Sequence, residues 1–178
     1  DWSSDVCSYD LALCLIGDDK IRYGTDIDSF MAECLKLQNP TIYFHNAKFD
    51  GSFIFYWLLT HGYELTDKYQ EAGETESGYK KVAKPKANTF RALITGKCEV
   101  YSIEIYMQKG KNIHKVTIWD SIKIFRMSLE QVAECFDLPL RKGKIDYKRH
   151  DTPCEVTAEE WDYLFKDVAI LSQALLRA

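Results

Sequence analysis

Short apolar runs with a two-residue period alternate along this chain with longer runs of helical period, and polar stretches punctuate both. "LALCLI" (11–16) and "KIRYG" (20–24) read as two strands joined by a tight turn at "GDD". Thr25 or Asp26 can cap a helix through "DSFMAECLKLQ", which Asn39-Pro40 would stop. "TIYF" (41–44) is a β-rich run, and "FIFYWLL" (53–59) an apolar helical one. Residues 65–88 are polar, contain Gly and Lys and lack apolar periodicity, which predicts a long exposed loop. "FRALITG", "CEVYSIEIYM" and "IHKVTIWDSI" follow, separated by Gly-Lys and "QKGKN" turns, and predict an antiparallel meander. "SLEQVAECF" predicts a helix begun by Ser128, with Glu130 and Gln131 in its first turn. After a basic loop, "LRKGKIDYKRH", Thr157 can cap a last amphipathic helix, "AEEWDYLFKDVAILSQALL". Strands that both alternate with helices and run as a meander imply an α/β domain with a mixed sheet flanked by helices. No internal repeat is visible.

Composition narrows the class. With 178 residues, 46% hydrophobic and 28% charged, the chain suits one globular domain with a real core. No apolar run approaches the roughly 20 residues of a membrane span, and the six cysteines show no zinc-type spacing. Free thiols in a reducing cytoplasm are therefore expected, with no membrane partner. Charge is distributed unevenly. Residues 1–65 carry 4 Lys/Arg against 10 Asp/Glu, residues 66–150 carry 17 against 11, and residues 151–178 carry 2 against 6. A basic middle between acidic ends suits a phosphate-facing surface beside a carboxylate-rich site, and equally an unevenly solvated exterior.

The polar cluster "HNAKFD" (45–50) stands where a core strand hands over to a helix, and Asp50 closes that junction. In the last helix Tyr163 and Asp167 are four residues apart and share a face. A carboxylate near an apolar boundary is costly unless it is paired or bound to a cation. Hard divalent cations, Mg²⁺ or Mn²⁺, take oxygen ligands, and a pair of them suits phosphodiester hydrolysis. Tyr163 is placed to orient an attacking water, and Lys142 in the basic loop to offset charge on a phosphate. Each residue alone has a plainer account. Asp50 is then a helix cap, Tyr163 a rim residue, and Asp167 a partner of Lys166 or part of an exposed face.

Taken together, the residues form a more specific pattern. "NAKFD" (Asn46 to Asp50) resembles the second exonuclease motif of family-B DNA polymerases, and "YLFKD" (Tyr163 to Asp167) the third. The latter marks the tyrosine branch of the DEDD 3′–5′ exonucleases. "YFHNAKFDGSFI", "WDSIKIF" and "KGKIDY" are similar to the protein-primed subgroup, whose best-known members replicate small phages with linear genomes. The resemblance runs from about residue 12 onward. It implies a ribonuclease H-like exonuclease fold and a proofreading 3′–5′ exonuclease region of a DNA-directed DNA polymerase. Asp50 and Asp167 would bind Mg²⁺ or Mn²⁺, Tyr163 would position the water, and Lys142 would assist at the phosphate. Tyr43, His45, Asn46, Phe49, Phe53, Ser121 and Ile122 would hold a single-stranded 3′ end of DNA. A terminal priming protein is a further implied partner, and the cytoplasm of a phage-bearing cell the implied location.

One element of the pattern is missing. The DEDD family also uses an Asp-x-Glu on its first strand, and no Asp-x-Glu occurs in this sequence. "DWSSDVCSYDL" (1–11) resembles the translated end of a sequencing adapter, so residues 1–11 are expected to be a read-end artefact, with the exonuclease region from 12 to 178 lacking most of its first strand. A chain without two of its four acids is expected to be inactive by itself. Two other readings stay open: a stand-alone DEDD nuclease, and a non-catalytic module binding single strands or a priming protein.

Overall fold

The computed structural model describes residues 11–14, 21–24, 26–48, 50–66, 71–74, 80–82, 85–94, 100–143 and 157–178. The chain divides into two compact units, one formed by residues 1–30 and 125–178 and the other by residues 31–124.

The second unit is built on a five-stranded mixed sheet in the order β3-β9-β8-β7-β4. Its centre is the expected meander: β7 (Thr89–Ile94), β8 (Val100–Lys109) and β9 (Asn112–Asp120), antiparallel throughout. Gly110, at φ +60°, makes the turn between β8 and β9, a conformation that glycine adopts without steric cost. β3 (Thr41–Phe44) adds to β9 in parallel, and the two-residue β4 (Glu64–Leu65) adds to β7 in parallel. Strand alternation sorts the two faces. Ile103, Ile105, Val116 and Ile118 are 0–1% exposed on one face, and each such burial is worth roughly 1.5–3 kcal/mol. On the other face Glu104 takes hydrogen bonds from Lys115 and Tyr106 and lies 3.7 Å from Arg91. Helix α2 (Asp50–Thr60) buries Gly51, Ile54, Trp57 and Leu58. Its Phe55 meets Phe90 of β7 with ring centroids 6.0 Å apart.

The expected loop at 65–88 is in part corrected. β4 pairs with β7, and β5 (Glu71–Glu74) and β6 (Lys80–Val82) form an antiparallel pair of their own. Backbone ladders hold these segments, and "EAGE" and "KKV" carry no apolar alternation that could have announced them. Two boundaries also differ from expectation. α2 begins at Asp50 rather than Phe53, and β9 ends at Asp120, so that Ser121 and Ile122 lie beyond the strand. Ile122 instead opens a one-turn helix, α3 (Ile122–Phe125).

In the other unit, β1 (Leu11–Cys14) and β2 (Ile21–Gly24) form the expected antiparallel pair. The reading of residues 1–11 as an adapter-like segment falls outside the described residues except at Leu11, which opens β1. Ser128 caps α4 (Leu129–Cys135), and Thr157 caps α5 (Ala158–Arg177), each in a reciprocal capping box with the residue three places on, Gln131 or Glu160. α5 packs against α4 and β1 and buries Ile170, Leu171 and Ala174. Helix α1 (Ile27–Lys36) starts where the Asp26 carboxylate accepts the Ser29 N–H at 2.7 Å. Thr25, the other candidate cap, lies outside the described residues.

Candidate functional site

Two groups of the expected residues assemble, one in each compact unit.

The first surrounds the exit from β3. Phe44, its last residue, pairs in register with Asp120 at the end of β9. Beyond that pair the Ser121 N–H donates to the Phe44 carbonyl at 2.8 Å, and the Ser121 hydroxyl donates to the same oxygen at 2.8 Å. That hydroxyl also stands 3.0 Å from Nδ1 of His45. The chain then turns at Asn46, whose φ of +72° lies in the left-handed region that asparagine tolerates better than most residues. Ala47 is buried, its carbonyl takes the Gly51 N–H at 2.8 Å, and α2 begins at Asp50. Asn46 is exposed, and Tyr43, His45, Asp50 and Ile122 are half-buried. Phe53 is 36% exposed and Ser121 fully buried, so in this arrangement Ser121 acts on its neighbours in the fold. Phe49 lies outside the described residues.

Burial pushes the Asp50 carboxyl up from its ordinary value. A hydrogen bond from its own backbone N–H opposes that rise, and the negative charge of Asp120 adds to it. Asp120 was not among the residues singled out from the sequence. Its Oδ1 accepts the backbone N–H of Asn46 at 2.9 Å and of Ile122 at 3.0 Å. A signal was available: in the alternating run of β9, Asp120 falls in phase with the buried Val116 and Ile118.

The second group lies on α5 and the loop leading towards it. Nζ of Lys142 is 3.3 Å from Oδ2 of Asp167 and 5.5 Å from the centroid of the Tyr163 ring. The pairing of Asp167 with its neighbour Lys166 is not what forms, because Lys166 reaches back one turn to Asp162. Gly143 lets the loop lie close to the ring, since a Cβ there would be 3.1 Å from Cδ2 of Tyr163. Among the described residues, no group of three or more His, Cys, Asp or Glu side chains is gathered for a metal ion. No helix of the described residues is long and apolar enough to cross a membrane.

The family model for "DNA polymerase type B, organellar and viral" matches residues 31–177. The chain belongs to this family. It is 34% identical over 159 residues to the DNA polymerase of Bacillus phage M2, covering 88% of this chain and 25% of that protein. The DNA polymerase of Bacillus phage phi29 is also 34% identical, over 157 residues, covering 87% of this chain and 24% of the relative. This member of the family thus spans about a quarter of the length of the curated relatives it matches. Its fold is similar to that of phi29 DNA polymerase complexed with primer-template DNA, with a TM-score of 0.76 and 30% identity over 95% of this chain and 27% of the other. Against phi29 DNA polymerase complexed with single-stranded DNA the TM-score is 0.70 with 31% identity, over 91% of this chain and 26% of the other.

Proposed function

We propose that this chain is the 3′–5′ exonuclease region, of ribonuclease H-like fold, of a protein-primed family-B DNA polymerase, and that within the parent polymerase this region removes the terminal nucleotide from a frayed primer end. The observation that carries the reading is the convergence of Lys142, from the "KGKIDY" run that resembles the protein-primed subgroup, on Tyr163 and Asp167 of the tyrosine-type exonuclease motif. The turn at Asn46 supports it with a second set of motif residues held in one arrangement.

The side chains divide the work by chemistry. His45 and Asn46, with Tyr43, Phe49 and Phe53 as aromatic surfaces, grip a single-stranded 3′ end by stacking and polar contacts. Ser121 fixes the His45 ring through its Nδ1. Tyr163 orients the water that attacks the terminal phosphodiester, and the Lys142 ammonium offsets charge on the scissile phosphate. The oxygen donors suit Mg²⁺ or Mn²⁺. Asp50 is half-buried beside a second carboxylate, so burial and charge both disfavour its ionised form, and a bound cation relieves that cost. Asp167 is neutralised by Lys142, which a cation would displace. When bound, such ions lower the pKa of a coordinated water and stabilise the leaving oxygen. The Asp-x-Glu motif that completes the DEDD set is absent from the sequence. The 178-residue chain is therefore expected to bind a 3′ end and to be inactive in its hydrolysis by itself.

The test uses a 5′-labelled oligonucleotide with a 3′ overhang, in Mg²⁺, against this chain and against the chain preceded by an Asp-x-Glu strand. The expected result is binding by both and stepwise 3′ shortening by the extended form, lost on Asp167→Ala. An extended form that folds and binds but leaves the oligonucleotide at full length would favour the non-catalytic binding module instead.

A further inference from the structure

Asp120 has a role that neither exonuclease motif describes. It ends β9 in phase with Val116 and Ile118, which are 0% and 1% exposed, and is itself 3% exposed. A carboxylate at such a position needs hydrogen-bond donors. The Asn46 and Ile122 donors are both backbone amides, and they come from two different loops. Oδ1 takes the N–H of Asn46 at 2.9 Å from the turn that leaves β3, and the N–H of Ile122 at 3.0 Å from the turn that leaves β9. Bonds from an amide to a charged acceptor are the stronger kind. The Asn46 bond also fixes a residue at φ +72°, in the left-handed region that asparagine adopts more readily than most non-glycine residues. Ser121 adds a parallel tie, joining the Phe44 carbonyl and His45.

We infer that Asp120 is a positioning residue: by clamping the Asn46 and Ile122 amides to one oxygen it sets the direction in which Asn46 and His45 meet a nucleic-acid terminus. This rests on the proposed role of Asn46 and His45, and the clamp itself does not. Removing the acceptor frees the Asn46 backbone to leave the left-handed region, and the Asn46 side chain then points elsewhere. Asparagine at 120 keeps a carbonyl oxygen in the same place and retains the clamp without the charge.

The experiment compares the 178-residue chain with Asp120→Ala and Asp120→Asn. Amide hydrogen exchange is followed at Asn46 and Ile122, and binding of a short 5′-labelled single-stranded oligonucleotide by anisotropy. In Asp120→Ala, exchange at both amides accelerates by about 10- to 100-fold, and oligonucleotide affinity falls by about tenfold. Asp120→Asn restores both, a rescue that a loss of general stability would not produce. An alanine variant whose Asn46 amide and affinity match the unmodified chain overturns the inference. Should the alanine variant fail to fold, the asparagine variant decides: protected amides support the clamp, and loss of protection at both in a folded protein overturns it. Should the unmodified chain bind no oligonucleotide, the proofreading reading fails, and the exchange data alone decide for or against the clamp.

Discussion

The ion pair between Lys142 and Asp167 is the part of the candidate site that can be weighed without any activity. At the observed 3.3 Å, two unit charges attract by roughly 5 kcal/mol at an effective dielectric of about 20. That figure is gross. The side chains are 33% and 21% exposed, so water screens the pair and ordering a long lysine costs entropy, which together leave a net coupling of about 1 kcal/mol. The single substitutions should be unequal. Lys142→Met leaves a carboxylate that is the more enclosed of the two without this partner, whereas Asp167→Asn leaves an ammonium that can swing into water on its flexible stem. Lys142→Met should therefore destabilise more than Asp167→Asn. A double-mutant cycle on urea unfolding measures the coupling, and repeating it at high salt should shrink it as the Debye length falls from about 10 Å at 0.1 M to about 3 Å at 1 M. A coupling below about 0.3 kcal/mol at both salt concentrations would refute the contact, and with it the convergence on which the proposed site depends.

Three further outcomes are expected. Gly143→Ala should press the Tyr163 ring, because its Cβ would lie 3.1 Å from Cδ2. Stability should change by less than about 1 kcal/mol, as the entropy gain offsets the crowding, while the Tyr163 ring proton shifts move; a stabilised variant with unmoved shifts would show that the close approach is absent. For Glu104, burial pushes the carboxyl up, but hydrogen bonds from Lys115 and Tyr106 and the charges of Lys115 and Arg91 outweigh it and hold the group below its ordinary value of 4.5. Its contribution is thus present above that value and is lost as pH falls through the lower folded-state value. Melting temperatures across the acid range should fall less steeply for Glu104→Gln, and superimposable acid limbs would count against the network. Burial pushes the Cys34 thiol up to about 12, while Cys135 is exposed. Iodoacetamide at mildly alkaline pH should label Cys135 well before Cys34 in the folded chain, with peptide mass spectrometry as the readout; equal labelling would contradict the buried position.

Much of this fold was legible along the chain because its signals are local. The Asp26, Ser128 and Thr157 caps each act on a backbone amide three residues away, and the β7–β8–β9 meander follows from two-residue alternation and from turns that include Gly110. The motif positions Asn46, Asp50, Tyr163 and Asp167 were visible for the same reason, since each motif is a few residues long. The short strands at 64–65, 71–74 and 80–82 were not, because backbone pairing in polar sequence leaves no hydrophobic trace.

The amino-acid order by itself announced the longer elements, their caps, the family pattern and the absence of an Asp-x-Glu. Only the tertiary structure decided which charges meet. Asp167 takes Lys142 from a preceding loop while Lys166 turns to Asp162, and Asp120 reaches the Asn46 amide 74 residues away. Pairings of this kind depend on strand register and on where loops land. Strand register, which brings Asp120 beside the β3 exit, is set by burial of the sheet face as a whole, which no short stretch of sequence contains.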